Sequence, residues 1–426
     1  MIWRETLNRG FNDSVEGMDI GIKDTVHTVE AAAVMGLLTT RPRVLALGEP
    51  THGEDALLDV RNELFRQLVE EEGYRTIAIE SDCLAALRVD AYVTSGTGGL
   101  DEVMESGFTH GFGESAANRE LVRWMRAYND GRPAADRLRF AGIDGPLEIT
   151  GAASPREALT ALYDYLAHHV DTALLPCTGQ TLDRLLGTDA RWTEPAAMTD
   201  PARSAGRSAG AGELRLLADD LVALLEAQTP HLIGATSREE WERARLHGRT
   251  ATGLLGYHHW MADTSPGRMA RLVGLRDLMM AENLLALARR GPTLVHAHNS
   301  HLQRGRSAMR MGDLPLEWWS AGAIASAHLG GQYAFFATAL GTIRHRGVDT
   351  PQSGTLEGLL YALPDDLCVV DSRALGAALA GTPTAPRTSA WFGYAPFEAA
   401  QLPVTDGLVF IKDIPQGRPA AISPAR

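Results

Sequence analysis

The sequence predicts an α/β fold in which helices flank a mostly parallel central sheet and a large helical insertion covers the strand ends. Strand-like and helix-like patterns alternate from Val44 to Asp144, and helical patterns then dominate to about Arg290. Strand-like runs return after Gly291. Four of the apolar runs end on an acidic residue or a histidine. In an open parallel sheet, ligands bind at such carboxyl ends of strands.

Residues 1–150 are predicted to form the N-terminal part of the α/β core. Apolar runs rich in β-branched residues predict three strands, at 43–47, 76–80 and 138–144. Apolar residues at helical spacing predict helices at 54–72, from about 84, and at 118–128. This alternation is typical of a doubly wound parallel sheet.

Residues 151–290 are predicted to form the helical insertion, because strand patterns nearly disappear there. Helical periodicity covers 155–169, 213–228, 238–262 and 269–290. The small-residue stretch near 200–212 is predicted to be a mobile loop. It contains Gly206-Arg-Ser-Ala-Gly210, a serine-hydrolase pattern, but that motif requires a strand before the serine. No strand precedes Ser208, so a serine nucleophile is not predicted.

Residues 291–426 are predicted to form the C-terminal part of the α/β core. Strand-like runs occur at 293–298, 333–340, 368–371 and 408–412. We expect these strands to complete the sheet that begins before the insertion.

The composition excludes several classes of protein. A chain of 426 residues with 45% hydrophobic content can bury a large core. A formal net charge of −13 argues against nucleic acid as a partner, since phosphate contacts need a basic face. No apolar stretch reaches the roughly 18 residues of a membrane helix, and the first residues lack a signal-peptide pattern. We therefore expect no membrane partner and a cytoplasmic location, while the oligomeric state stays unknown.

The first strand runs into Gly48-Glu-Pro-Thr-His-Gly53, so Glu49 and His52 fall in a strand-to-helix turn. A neutral imidazole can take a proton from water, and a nearby carboxylate can orient the ring and stabilise its charged form. Glu49 and Glu80, at the ends of two strands, are candidates for that carboxylate. The alternative is that His52 caps or packs against the next helix. We assign Glu49, His52 and Glu80 as candidate catalytic residues.

Four further residues are candidates on weaker grounds. Arg61, on the helix after the motif, could stabilise an oxyanion or a carboxylate, or belong to a solvated ion-pair face. Asp144 ends an apolar strand and is either functional or a helix cap. His110 and His258 could line a pocket, with packing as the alternative. We assign Arg61 as catalytic and Asp144, His110 and His258 as substrate-binding.

His296, His298 and His301 form a tight cluster at the end of a predicted strand. Imidazoles beside Glu49 and Glu80 could hold zinc or another divalent ion, although the sequence has no HExxH helix. A hydrogen-bonded core histidine is the alternative for His296. We expect no cofactor and assign His298 and His301 as catalytic, with a divalent metal held by the three histidines as the alternative.

These residues resemble those of the erythromycin esterase family. The resemblance rests on Gly48–Gly53, on Arg61 and Glu80 at family spacing, and on His298-Asn-Ser-His301. The segments 276–283 and 118–129 add to it, and it runs from about residue 43 to 410. Family members often carry an aromatic residue two positions before the histidine-asparagine pair, where this chain has His296.

The resemblance implies hydrolytic opening of a macrolactone ester in a small-molecule natural product, with His52 as the general base for water. It also implies that Glu49, Arg61, Glu80, His298 and His301 match active-site positions. Arg61, His298 or His301 would stabilise the oxyanion or protonate the departing alkoxide. One alternative is a biosynthetic enzyme that uses the same site for proton transfer on another natural product. Another is a metal- or ligand-binding protein without turnover.

Overall fold

A computed structural model describes residues 21–148, 151–391 and 393–416. The strands are β1 (Val26–His27), β2 (Val44–Glu49), β3 (Thr76–Asp82), β4 (Arg139–Asp144), β5 (Leu147–Glu148), β6 (Gly151–Ala152), β7 (Thr293–His298), β8 (Arg306–Met311), β9 (Leu314–Trp319), β10 (Tyr333–Thr342), β11 (Leu367–Asp371) and β12 (Gly407–Asp413). The main sheet has the order β1-β11-β12-β10-β2-β7-β3-β4. Each pair of neighbouring strands from β12 to β4 is parallel. Strand β11 runs antiparallel to both of its neighbours, β1 and β12. The predicted mostly parallel sheet is confirmed.

Helices cover both faces of this sheet. They are α1 (Ala31–Gly36), α2 (Asp55–Glu71), α3 (Ala86–Ser95), α4 (Leu100–Ser106), α5 (Ala116–Asn129), α6 (Arg156–His169), α7 (Gly179–Leu186), α8 (Ala209–Ala227), α9 (Thr229–Ala235), α10 (Arg238–Met261), α11 (Arg268–Arg290), α12 (Asn299–Leu302), α13 (Ala321–Leu329), α14 (Leu356–Tyr361) and α15 (Ser372–Ala378). Helices α1 to α5 pack on the face that carries Leu45 and Leu47, and α11, α13, α14 and α15 pack on the face that carries Val44 and Ala46. The central strands are therefore apolar on both sides, as in three-layered α/β folds.

The predicted helical insertion divides into two parts. Helices α6 to α10 share a core of their own, which meets the sheet at Cys83 and Leu84, just after β3. Helix α11 instead packs on the sheet through Met280 and Leu284. The boundary predicted at residue 290 thus separates α11 from the strands it covers.

The segment 200–212 differs from its prediction as a loop. Residues Pro201–Arg203 and Ala205–Arg207 form single 3₁₀ turns, and α8 begins at Ala209 with the Ser208 hydroxyl accepting a hydrogen bond from the Ala211 amide. A side chain at Gly206 would collide with the His258 backbone, so this turn packs closely against α10. The small residues permit this approach, and the mobility of the segment stays a prediction.

Two pairs of short strands were not predicted from the sequence, because apolar and polar residues alternate only weakly in them. Strands β8 and β9 form an antiparallel hairpin, and β5 and β6 form a two-stranded ribbon directly after β4.

Within the described part of the chain, no helix has the length and apolarity needed to cross a bilayer. The cytoplasmic location stays a prediction.

Gly48 sits where β2 and α12 approach most closely. A Cβ there would lie 3.1 Å from the Asn299 Cα and would overlap the Asn299 amide. That amide cannot move freely, because Asn299 donates to the Thr338 carbonyl at 2.8 Å and accepts from the Thr338 amide at 3.2 Å. Gly48 is therefore required by the packing of β2, α12 and β10.

We expect Gly48→Ala to lower the free energy of unfolding by about 1–3 kcal/mol, through overpacking or loss of the Asn299 hydrogen bonds. Gly36→Ala is the control, since nothing lies within 4 Å of a Cβ at the exposed Gly36. Chemical denaturation measures both variants. Equal stability of the two proteins would contradict this account of Gly48.

Candidate active site

The carboxyl ends of β2, β7 and β3 bring the predicted residues together. Glu49 pairs in register with His298 across β2 and β7, and His296 pairs with Leu47 on one side and Ile79 on the other. Glu80 follows Ile79 directly. Parallel neighbours end at a common rim, so three strands place Glu49, Glu80 and His298 side by side.

Glu49 fixes the ring of His52. The His52 Nδ1 donates to Glu49 Oε1 at 2.6 Å, and the His52 Nε2 lies 3.7 Å from Glu80 Oε2. Burial opposes a charged imidazole, but the Glu80 and Glu49 carboxylates outweigh it and raise the pKa of His52 above its ordinary value. Burial likewise opposes ionised Glu49, yet His296 and His52 hold the pKa of Glu49 far below the usual range. His52 is thus oriented by one carboxylate and faces another.

Glu80 is buried, and its carboxylate contacts several cationic or hydrogen-bond-donating groups. Its Oε1 lies 3.0 Å from an Arg276 Nη2 and 3.4 Å from the His301 Nε2, and its Oε2 accepts the His298 backbone N–H at 2.8 Å. Burial would raise the pKa of Glu80, but His301, His52 and Arg276 keep it well below the ordinary value. Glu80 is therefore a carboxylate that stays ionised in the site.

His301 connects Glu80 to a second buried carboxylate. Its Nδ1 donates to Asp277 Oδ1 at 2.7 Å. Asp277 also accepts from the Trp318 indole and from the Ala321 amide, each at 3.0 Å. Burial acts against the charged ring, but Asp277 and Glu80 raise the pKa of His301 above its usual value. His301 thus links the Glu80 and Asp277 carboxylates and takes up a proton more readily than a free imidazole.

The pKa of His298 is shifted in the opposite direction from that of His301. Its Nδ1 accepts from the Ser300 amide at 3.2 Å and contacts the Ser300 hydroxyl at 2.7 Å, while its Nε2 lies 3.3 Å from the Pro50 carbonyl. Since the Nδ1 is an acceptor, the proton of the neutral ring belongs on Nε2. Burial and the neighbouring His52 lower the pKa of His298 to about 4. His298 is a neutral ring that stands edge-on to His52, with centroids 5.4 Å apart.

His296 lies behind Glu49. Its Nδ1 donates to the Leu47 carbonyl at 3.0 Å, and its Nε2 is 3.2 Å from Glu49 Oε2, although this last contact lacks hydrogen-bond geometry. The ring is 4% exposed and forms part of the floor beneath Glu49.

A second set of charges extends the site toward β4. Arg276 bonds Asp144 at 2.7 Å, and Asp144 in turn contacts the His110 Nε2 at 3.1 Å. The His110 Nδ1 contacts Glu148 at 2.9 Å. Although burial opposes it, contact with the Asp144 and Glu148 carboxylates raises the pKa of His110 to about 9. The His110 backbone is left-handed, with φ of 58°, a conformation that is uncommon for residues other than Gly.

A cavity of about 920 Å³ opens over Glu49, His52 and Glu80. Arg61 lines it, 1% exposed, and donates to the amide oxygens of Asn62 and Asn118 at 2.7 and 2.8 Å. Among the ion pairs of the described residues, none includes Arg61. Burial lowers the pKa of Arg61 to about 10, which still leaves it charged at neutral pH. The cavity thus offers a cationic group that no protein carboxylate neutralises by direct contact.

The walls of the cavity come from loops and helix ends. Phe112 stands edge-on to His52 at 5.3 Å, and Trp391 lies against the Arg346 guanidinium at 5.1 Å. Arg346 and His345 both contact Glu54, at 3.0 and 3.1 Å. The Ala395 amide donates to the Pro50 carbonyl at 2.9 Å, which joins the C-terminal wall to the turn that carries His52. Among the described residues, the lining contains none of the segment 151–290, and this segment acts on the cavity through the contact of Arg276 with Glu80.

The predicted residues fall into three groups. Glu49, His52, Arg61, Glu80, His110 and His296 line the cavity. His298, His301 and Asp144 contact these residues from behind and are absent from the lining. His258 does not belong to the site. Its Nε2 contacts the Ala153 carbonyl at 2.8 Å and its ring packs on Trp192, so its assignment to substrate binding is corrected to a packing role in α10.

The divalent-metal alternative for His296, His298 and His301 stays a prediction. The Nδ1 atoms of His296, His298 and His301 are directed to Leu47, Ser300 and Asp277, respectively. In the described ranges, no three His, Cys, Asp or Glu side chains are grouped so that they could hold a metal ion.

Arg276 and Asp277 were missed as site residues by sequence reasoning. Both lie on α11, outside the strand-end motifs, and the sequence analysis assigned that helix to the insertion. Their place in the family-like segment 276–283 was the one available signal.

The contact with Glu49 predicts a measurable property of His52. Its pKa, followed by NMR of the ring protons, should exceed the ordinary value of about 6.5. In Glu49→Gln it should fall, because the charged imidazole loses a carboxylate. Glu63→Gln is the control, since Glu63 lies on the exposed face of α2. A His52 pKa that Glu49→Gln leaves unchanged would contradict the proposed coupling.

Three solved structures share this fold. A Bacillus cereus protein has a TM-score of 0.70 at 17% identity, over 94% of this chain and 98% of that chain. A structure described as a succinoglycan biosynthesis protein has a TM-score of 0.67 at 16% identity, over 93% and 97%. A mutant of the erythromycin esterase EreC in its open conformation has a TM-score of 0.64 at 17% identity, over 92% and 95%.

The profile of the erythromycin esterase family matches residues 69–414. The matched segment contains Glu80, Arg276, His298 and His301, and it begins after the turn that carries Glu49 and His52. A match of this extent covers well over half of the chain. The chain therefore belongs to the erythromycin esterase family.

Proposed function

We propose that this protein hydrolyses the ester bond of a macrolactone or a related cyclic ester, with His52 as the general base. The observation that carries the proposal is the contact of 2.6 Å between the His52 Nδ1 and Glu49. In the neutral ring this contact keeps the proton on Nδ1, so the Nε2 lone pair is free to accept a proton. Glu80, 3.7 Å from the Nε2, then stabilises the imidazolium that forms.

In the first step, a water oxygen attacks the ester carbonyl while the His52 Nε2 takes a proton from that water. The carbonyl π electrons move to its oxygen, which gives a tetrahedral oxyanion. We assign the stabilisation of that negative charge to Arg61, which lines the cavity and takes part in no ion pair among the described residues. In the second step, the oxyanion collapses, the bond to the alkoxy oxygen breaks, and His52 returns the proton to the departing alkoxide. The products are a carboxylic acid and an alcohol, joined in one open chain when the substrate is a ring.

Two histidines in this proposal act as positioning residues. His301 lies behind Glu80, and His298 holds Glu80 through its backbone amide. A pKa of about 4 makes the His298 ring a poor proton donor to an alkoxide near neutral pH. Proton return is therefore assigned to His52.

The cavity supports a bulky substrate. Its volume of about 920 Å³ lies near the upper end of the roughly 300–1,000 Å³ that small-molecule pockets occupy. Phe112 and Trp391 offer aromatic surface, and the exposed Glu114 and the nearby Asp55 offer polar contacts at its rim. This mixture suits a large natural product with apolar and polar faces.

A biosynthetic enzyme is the second candidate. The structural likeness to a protein described as a succinoglycan biosynthesis protein favours it, since a fold close to this one has been linked to the making of a natural product. This candidate uses His52 and Glu80 for proton transfer on another substrate and does not require lactone opening.

The direct test is mass spectrometry of erythromycin incubated with the wild-type protein, with His52→Ala and with His328→Ala. We expect wild type to yield a product heavier by one water, or its dehydrated descendant. His52→Ala should be slower by roughly 10²- to 10⁴-fold, the usual contribution of a positioned base. His328, exposed at the end of α13, serves as the control and its variant should match wild type.

The possible outcomes separate the candidates. Hydrolysis that persists in His52→Ala at the wild-type rate would contradict the role of His52. Intact erythromycin with all three proteins, together with an intact fold, would favour the biosynthetic candidate and direct the substrate search to other natural products.

A further inference from the structure

A second cavity, of about 720 Å³, lies beside the start of β3 and residues 139–142 of β4, whereas the active-site cavity lies at the end of β3. Strand β4 is the edge of the main sheet, and helices α3, α10 and α11 surround the groove beside it. The two cavities share no lining residue among those the structure describes. This second cavity takes no part in the proposed hydrolysis.

The lining of the second cavity is strongly cationic in a chain whose net charge is −13. Seven arginines and three acidic residues line it. The three acids are already engaged, because Asp90 and Glu239 bond Arg139 and Glu242 bonds Arg290. The cavity therefore keeps a surplus of guanidinium groups.

Three of these guanidinium groups are not paired with a carboxylate of the described residues. No ion pair within the described ranges includes Arg238, Arg249 or Arg289. Arg249 is the most enclosed of them, and its contacts with the Asn283 amide oxygen are long, at 3.3 and 3.4 Å. Burial lowers the pKa of Arg249 to about 10, so it remains charged at neutral pH. Glu282 lies near enough to offset part of this charge, but no carboxylate of the described residues contacts the guanidinium group, and an anionic ligand would supply such a contact.

The same cavity has an apolar part. Trp241, Leu87 and Leu246 line it beside the arginines. Trp241 is 7% exposed, and its indole N–H has no hydrogen-bond partner among the described residues. The indole nitrogen itself is buried, so Trp241 offers the carbon surface of its ring to the cavity. Apolar surface beside unpaired guanidinium groups fits a small molecule with an apolar body and an anionic end.

We propose that the groove between β4, α10 and α11 is a second ligand site that binds a small organic anion, of the phosphate-ester class, with its anionic group on Arg249 and its apolar body against Trp241. Planar guanidinium groups bind phosphate through paired hydrogen bonds, which favours this class of anion. The size of the cavity limits the ligand to a small molecule.

Isothermal titration calorimetry with 1-naphthyl phosphate tests this site, with 1-naphthol as the uncharged control ligand. We expect saturable one-to-one binding of the phosphate ester and at least about tenfold weaker binding of 1-naphthol. Arg249→Met, which keeps most of the side-chain stem, should weaken phosphate-ester binding about tenfold or more. Arg310→Met, on the exposed β8–β9 hairpin, is the matched control and should bind as wild type does.

Two further variants keep the test decisive. If thermal melting shows that Arg249→Met does not fold, Arg289→Met, at the exposed end of α11, takes its place and should weaken binding several-fold. Arg61→Met, in the active-site cavity, should leave the affinity unchanged. Absence of saturable binding would overturn the proposal. Binding of 1-naphthol as tight as that of 1-naphthyl phosphate would also overturn it. The same holds if the folded variant of the second cavity, Arg249→Met or Arg289→Met, binds the phosphate ester as wild type does, or if only Arg61→Met loses binding.

Discussion

The buried carboxylate of Glu80 is the group on which the arrangement of the site depends. It contacts Arg276 from α11, His301 from α12 and the His298 amide at the end of β7, and it faces His52 from the turn after β2. An ionised carboxylate in the interior is stable only when charges and donors surround it. The four segments must therefore meet at the end of β3, and this requirement fixes where His52 can stand.

The pKa values of the histidines are shifted in different directions because their neighbours differ. His52 and His301 each lie between two carboxylates, which raise their pKa values, whereas His298 receives backbone and hydroxyl contacts and has a lowered pKa. Similar side chains within a few ångströms thus differ in how readily they take up a proton. The neutral form of His52 becomes more populated as pH rises through its raised pKa, so a site that uses this base gains activity on the alkaline side of the ordinary histidine value.

Sequence patterns predicted the sheet and the strand-end residues because both depend on local periodicity. Apolar runs marked β2, β3, β4 and β7, and their polar last residues marked Glu49 and Glu80. Contacts between distant segments could not be predicted in the same way. Arg276 meets Glu80 across 196 positions, and Trp391 reaches the cavity from a segment without regular structure. His258 was misassigned because a histidine on an apolar helix gives the same pattern whether it packs against Trp192 or lines a pocket.

The central claim is that His52, held by Glu49 and Glu80, is the base that activates water. The most direct test compares the pH dependence of kcat/KM for erythromycin hydrolysis with the pKa of His52 measured by NMR in the free protein. The acid limb of kcat/KM reports the pKa of the essential base in the free enzyme. The account predicts that both values lie above about 6.5 and agree within experimental error. A kinetic pKa that differs from that of His52 by a unit or more would contradict it and point to another base.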